Sequence, residues 1–303
     1  MSRRRLSVLR ANGPWRLPHT PVAATFQTNK QQHCDKEGPM RKIIALTVAS
    51  LLLGAFSSQG ATLKVASDCT YPPFGYQDAN GEIKGFDVDV ARAVGKHIGS
   101  EVEIICQSWD GMIPGLLAGK YDLISASMSI TEERLKSINF SVPYRSSAAR
   151  FVGPKTTDAK PVTDSGQPNP NGVAGKTIGL QRSSTYGKYI ADKYPQATVS
   201  EYDKVDNMIL DLEAGRVDLI FAGPIKLDND FLSKPEGKDY GFVGPEIDDV
   251  SYFGPGIGIG LRKADTNLLK KIDGALNTMF KDGRFKAIND KYWSFSVLPA
   301  SAK

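Results

Sequence analysis

From Thr62 onward, short runs with a strand-like period of two trade places with stretches in which apolar residues recur every three or four positions. Leu63–Ser67 reads as a strand, Phe86–Ile98 as an amphipathic helix and Val102–Cys106 as a second strand. Met112–Ala118 is helical and Tyr121–Ser125 is a third strand. Strands separated by helical stretches argue for parallel α/β architecture. Residues 154–175, dense in Pro, Gly, Asn and Asp, break the pattern as a loop. The alternation then restarts. Lys176–Gln181, Ala197–Tyr202 and Val217–Ala222 read as strands, and Ser184–Lys193 and Val205–Ala214 as helices. Gly256–Arg262 is a Gly-spaced strand, followed by terminal helices over Asn267–Asp282 and Phe285–Tyr292. Two similar α/β units predict two lobes, with ligands bound in the crevice at the carboxyl ends of the strands.

The residues before Thr62 do not fit this pattern. Met40-Arg41-Lys42 is a short positive segment, and Ile43 to Phe56 is an uncharged apolar run. Ser57-Ser58-Gln59-Gly60-Ala61 then offers small residues for cleavage near Gly60-Ala61 or Ala61-Thr62, the layout of a secretory signal over 40–61. The apolar run is too short for a comfortable membrane span, although a buried core helix is the other reading of it. Residues 1–39 are rich in Arg, Pro, Gln and Asn and show no hydrophobic period; they read as an unstructured upstream leader.

Charge takes its meaning from this division. The formal net charge is +5, but residues 1–61 hold nine of the 38 Lys and Arg and only two of the 33 Asp and Glu. The remainder has 29 basic and 31 acidic residues, a net of −2, so the folded part gives no electrostatic case for nucleic acid. Cys69 lies too far beyond the apolar run to be a lipid anchor. Export leaves Cys69 and Cys106 in an oxidising compartment.

A helix N-terminus carries positive partial charge and free N–H groups, and acids usually occupy its first turn. Asp87 and Asp89, Asp110, Asp206 and Asp265 follow that rule. At Ser129-Ile130-Thr131-Glu132-Glu133-Arg134 an arginine joins the acids. At Gln181-Arg182-Ser183-Ser184-Thr185-Tyr186 no acid is present. Such starts suit a docked carboxylate held by an arginine fork and free amides. Plain Ser/Thr capping, with Arg134 turned to solvent, explains each start alone equally well.

The motifs, taken in order, resemble one family. Asp68-Cys69-Thr70-Tyr71-Pro72-Pro73-Phe74, Gly85-Phe86-Asp87-Val88-Asp89, Trp109-Asp110-Gly111-Met112-Ile113-Pro114-Gly115-Leu116 and Ser127-Met128-Ser129-Ile130-Thr131 carry the likeness. Phe140-Ser141, Ala214-Gly215-Arg216-Val217-Asp218 and Gly258-Ile259-Gly260-Leu261-Arg262-Lys263 continue it. Over residues 62–297 the chain resembles the polar amino-acid-binding periplasmic proteins of ABC importers, solute-binding family 3, which include lysine/arginine/ornithine-, histidine- and opine-binding proteins. The resemblance implies a type II two-lobed periplasmic-binding-protein fold, α/β throughout, with two hinge strands and a ligand cleft between the lobes. Lobe 1 is expected at 62–148 and 247–303, lobe 2 at 149–246, with crossings near Tyr144–Val152 and Val243–Tyr252. The implied function is to bind a basic amino acid, or an N-substituted derivative such as an opine, in the periplasm and deliver it to inner-membrane permease subunits. A monomer without cofactor, metal or nucleic-acid partner is expected.

Family roles carry over by position. Arg134 matches the clamp on the ligand α-carboxylate, helped by Ser129 and Thr185, with Met128, Gln181 and Ser184 on the same anion-binding turns. Tyr71 and Trp109 match aromatic walls around the ligand side chain, although both can be read as core residues. Asp68 matches the acid that meets a distal cation. Ser127 would offer its backbone or hydroxyl to the ligand amine.

Three positions depart from the family pattern. Gly223 stands where an Asp usually pairs with the α-ammonium. Arg182 replaces a small residue; it faces either a second ligand carboxylate or solvent. Gly95 and Val102 occupy the places of the family's paired cysteines. Cys69 and Cys106, at the ends of what would be neighbouring strands, are candidates for a substitute disulfide. Of the rival functions, a dehydratase-type enzyme would need a cleft acid or base, for which Asp68 is the obvious candidate. The sequence shows no Ser-His-Asp order and no HExxH or CxxC. A receptor would need a membrane span after the domain, and only eleven residues follow Tyr292. Presenting the ligand to a separate sensor stays open.

Overall fold

The computed structural model describes residues 61–299. The expected leader and signal segment lie outside the described residues except for Ala61, as do residues 300–303.

The first lobe opens with β1 (Leu63–Ser67). A small antiparallel sheet of β2 (Thr70–Tyr71), β3 (Gly75–Gln77) and β4 (Ile83–Lys84) follows. Then come α1 (Phe86–His97), β5 (Val102–Cys106), α2 (Met112–Leu117), β6 (Leu123–Ile124), α3 (Glu132–Ser137) and β7 (Ile138–Phe140). The chain crosses to the second lobe at β8 (Ala149–Pro154) and continues with β9 (Thr177–Gln181), α4 (Thr185–Lys193), β10 (Thr198–Tyr202), α5 (Val205–Glu213), β11 (Leu219–Ala222), α6 (Pro224–Leu227) and β12 (Tyr240–Ile247). After α7 (Val250–Phe253), the strand β13 (Gly260–Arg262) rejoins the first sheet, and α8 (Thr266–Asp282) and α9 (Arg284–Asn289) follow.

The two main sheets have orders β5-β1-β6-β13-β7 and β10-β9-β11-β8-β12. In each, the strands linked through helices run parallel, as the alternation predicts. The strands that arrive from the other lobe run antiparallel to their neighbours: β8 against β11 and β12, and β13 against β6 and β7. The sheets are therefore mixed. β8 and β12 lie side by side, with Ile247 opposite Ala149. Ile257 bridges both Ser129 and Arg145, so the returning segment laces the first crossing.

Each sheet is covered on both faces. In the first lobe, Val65, Phe86, Val90, Leu276 and Met279 pack on one side of the sheet and Met112, Leu116 and Ile124 on the other. Phe151, Tyr189 and Phe221 fill one face of the second sheet, and Met208, Leu212 and Ile220 the opposite one. α1 shows how sequence sets such a layer. Phe86, Val90 and Val94, spaced by four, form its buried stripe. Gly85 precedes it at φ +132°, where an added Cβ would lie 2.2 Å from the Phe74 carbonyl oxygen. Only glycine lets the helix start that close to the Tyr71–Phe74 loop. The Phe86 and Asp87 amides then donate to the Pro73 and Phe74 carbonyls.

Candidate functional site

Strands ending at one crevice supply most of the site. β1 leads to Asp68, and the 3₁₀ turn Trp109–Gly111 shortly after β5 carries Trp109. The segment after β6 carries Ser127 and Ser129 before α3 brings in Arg134. Across the crevice, β9 ends at Gln181, the start of α4 presents Ser184, Thr185 and Tyr186, and β11 ends beside Gly223. Together with Tyr71 and Ala126, these residues except Gly223 line one narrow slot of about 30 Å³. Gly223 lines an adjoining cavity of about 430 Å³ that shares Tyr71, Ser127 and Tyr186 with the slot.

Arg134 sits in the first turn of α3, which Thr131 caps by accepting the Arg134 amide hydrogen (3.3 Å). Its Nη1 donates to the Ser129 carbonyl at 2.9 Å, and its guanidinium lies 5.3 Å from the centre of the Trp109 ring. The residue as a whole is half-buried, but its charged end is enclosed. Burial pulls its pKa down to about 10, and no carboxylate among the described residues counters that effect. The group stays cationic at neutral pH, and a desolvated cation without a counter-ion is a strong attractor for a carboxylate.

Asp68 is buried, and its Oδ1 accepts from both the amide (3.0 Å) and hydroxyl (2.7 Å) of Thr70. That leaves Oδ2 as the oxygen for a ligand cation. Burial raises the Tyr71 and Tyr186 hydroxyl pKa values, so both stay protonated. A Cβ added at Gly223 would lie 3.3 Å from the Tyr186 hydroxyl and 3.9 Å from that of Tyr71. The place of the family's Asp is thus faced by two phenol groups.

Several expected residues have other tasks. Met128 does not line the slot; its side chain is buried at 1% exposure among Met112, Leu116 and Ile130. Arg182 does not turn its charge into the slot. Its Nε and Nη2 each lie 2.8 Å from Asp110 Oδ2 of the first lobe. The Ser127 hydroxyl is spent on Asp87 Oδ2 (2.7 Å), so Ser127, at φ +53°, offers only its backbone. The Ser184 hydroxyl donates to the Gln181 carbonyl, and Gln181 Nε2 donates to Asp203 O at 3.2 Å. Ala126 and Tyr186 were not anticipated. Tyr186, next to Thr185 in an acid-free first turn, was the legible one of the two.

Two contacts tie the lobes across the mouth: the Arg182–Asp110 pair and the Trp109 Nε1 hydrogen bond to the Ser183 carbonyl (3.2 Å). Cys69 and Cys106 are joined as a disulfide. It links the loop of Asp68 and Tyr71 to that of Trp109. His97 is exposed and lies beside Arg284, away from the crevice. No cluster suited to a metal ion occurs among the described residues, and none of their helices is long and apolar enough to cross a membrane.

Comparison with known proteins agrees with this fold. Residues 63–295 match the family model described as bacterial extracellular solute-binding proteins, family 3. The L-arginine-binding protein of Pseudomonas aeruginosa is 35% identical over 258 residues, covering 84% of this chain and 95% of its own. The histidine-binding periplasmic protein of Escherichia coli is 33% identical over 264 residues, 85% of this chain and 99% of that one. Among solved structures, an arginine-specific periplasmic binding protein of Salmonella typhimurium aligns with a TM-score of 0.70 at 30% identity, covering 78% of this chain and all of that one.

Proposed function

Because the chain belongs to the bacterial extracellular solute-binding proteins of family 3, we propose that it captures a basic amino acid, or an N-substituted derivative such as an opine, in the periplasm and hands it to the permease of an ABC importer. The observation that carries this reading is the pairing of charges in one slot. Arg134 is an enclosed cation with no protein carboxylate, and Asp68 contributes an acid with one oxygen free. A ligand with an α-carboxylate and a distal cation satisfies both, and desolvated charges demand such partners. Tyr71 and Trp109 supply aromatic faces on which an alkyl chain or guanidinium can lie. The arginine- and histidine-binding relatives support the basic amino acid as ligand class.

Binding is favoured over catalysis. A dehydratase-type mechanism would rest on Asp68. Beside it, Tyr71 and Tyr186 are pushed upward by burial and Arg134 falls only to about 10, so these three keep their protons and give Asp68 no proton-exchanging partner near neutral pH.

The test is calorimetric titration of protein freed of bound ligand by unfolding and refolding, because retained ligand masks a site. Arginine, lysine, ornithine, histidine and their N-carboxyalkyl derivatives bind, whereas neutral amino acids bind more weakly. Arg134→Ala loses about 2–5 kcal/mol of binding free energy. Near-wild-type affinity in that variant, or a preference for neutral amino acids, would overturn the reading.

A further inference from the structure

Beside the ligand slot lies a second, larger cavity on the hinge side, between Arg145–Ala148 of the first crossing and the tail at Phe295–Val297. Tyr71, of the first lobe, lines both spaces, whereas Lys226, of the second lobe, lines the larger one alone. Lys226 belongs to the short helix α6, and no part of it reaches solvent. A lysine is almost never buried to that degree unless its charge is matched.

The match comes from both lobes. Within the second lobe, Lys226 Nζ pairs with Asp230, which is itself buried, and lies 3.5 Å from Asp206 Oδ1 in the first turn of α5. Asn229 Nδ2 donates to the Oδ1 of Asp230 at 2.8 Å, so the acid is held as well. From the first lobe comes an aromatic face: Lys226 Nζ lies 4.8 Å from the centre of the Tyr71 ring. A cation over a ring is worth most where water is kept out, and this ammonium is wholly desolvated. Local structure gives the ring little support of its own. Tyr71 ends β2, a strand of two residues, and is only half-buried; its ring stacks on Phe74 with centres 5.7 Å apart.

We infer that Lys226 is a positioning residue for ligand capture: reaching across from the second lobe, it fixes the ring of Tyr71 as a wall of the slot, so that the slot is completed only where the lobes meet. This rests on the reading of the slot given above, in which the ligand side chain lies along Tyr71. Asp230 then serves to hold the ammonium against the ring more than to stabilise the fold. A buried ion pair exchanged as a unit for uncharged groups of similar volume is often neutral for stability, whereas removing one partner strands the other charge. Both charges must therefore be removed together to isolate the contact with Tyr71.

The experiment combines Lys226→Met with Asp230→Asn, which keeps the oxygen that Asn229 holds, and places the pair in the wild-type background and beside Tyr71→Leu. Arginine affinity is measured by calorimetry on refolded protein, together with thermal melting of the ligand-free form. Arg134 and Asp68 remain throughout and keep binding measurable. In the wild-type background the double replacement lowers affinity by about tenfold while the ligand-free melting temperature holds or rises. Beside Tyr71→Leu the same replacement changes affinity by less than about twofold, because the ring it acts through is gone. No loss in the wild-type background, or equal losses in the two backgrounds, would overturn the role of Lys226 while leaving the slot assignment standing. Wild type that does not bind arginine would overturn the slot assignment and this role together. Should the double replacement not fold, Lys226→Gln, which keeps a donor for Asp230 and removes the charge, goes through the same cycle and decides.

Discussion

Asp68 and Arg134 show how single residues divide the recognition task. Thr70 fixes one oxygen of Asp68 and so aims the carboxylate, while Ser129 and Trp109 hold the guanidinium of Arg134. Replacing Asp68 by Asn keeps the shape and removes the charge. The expected outcome is a loss of about tenfold or more for arginine and ornithine and much less for neutral ligands. Calorimetry with arginine and glutamine side by side checks this, and equal losses for the two would remove Asp68 from the distal-cation role. Residue-scale roles were legible only in part. Ser127-Met128-Ser129 reads as one binding stretch, but the backbone turns at Ser127, with φ +53°, and the Met128 side chain goes into the core. For Arg182 the sequence leaves a second ligand carboxylate and solvent both open, because its partner, Asp110, lies 72 residues away and in the other lobe. Local sequence does not announce such a pairing.

Among elements, the α/β alternation carried over well because long amphipathic helices such as α1 and α8 have strong periods. β8 and β12 show no period of their own and are placed only by the resemblance, as crossings near Tyr144–Val152 and Val243–Tyr252. Gly153, Pro154, Gly241, Gly244 and Pro245 interrupt their patterns, and their role is set by strand pairing at the crossing. The tail Phe295–Val297, which lines the second cavity, lies beyond the last helix and outside any strand, so it had no period to read. One replacement at this scale was visible in the sequence. Gly95 of α1 lies directly against Val102 of β5, where an added Cβ would meet the valine side chain at 2.3 Å. The helix and strand are held there by close packing, while the Cys69–Cys106 disulfide joins the ends of β1 and β5. Cross-linking positions 37 apart removes chain entropy from the unfolded state. The paired Cys69→Ser, Cys106→Ser variant is therefore expected to lose about 3–4 kcal/mol in denaturant unfolding. An unchanged midpoint and slope would show that the clip contributes nothing to stability.

Across the whole molecule, closure depends on contacts made between lobes rather than within either. The Arg182–Asp110 pair is exposed on both sides, at 46% and 40%, so it contributes no more than an ordinary surface ion pair. As a latch it acts on every ligand alike. Arg182→Ala is expected to weaken arginine and its N-carboxyethyl derivative by the same small factor, about two- to fivefold, and to reduce the salt dependence of affinity. Stopped-flow dissociation measured at two ionic strengths checks this. A loss confined to the derivative would return Arg182 to ligand recognition.

The indole of Trp109 lends itself to one more use. Its N–H is bonded to the Ser183 carbonyl of the facing lobe and its ring lies beside the Arg134 guanidinium. When the lobes part, that N–H must turn to water, while Arg134, in the same lobe, stays beside the ring. The protein thus carries an intrinsic fluorophore whose emission reports whether its N–H is bonded to the facing lobe or to water. Ligand titrations can be followed optically without a label, and with Trp293 replaced by Phe the signal from the described residues comes from Trp109 alone.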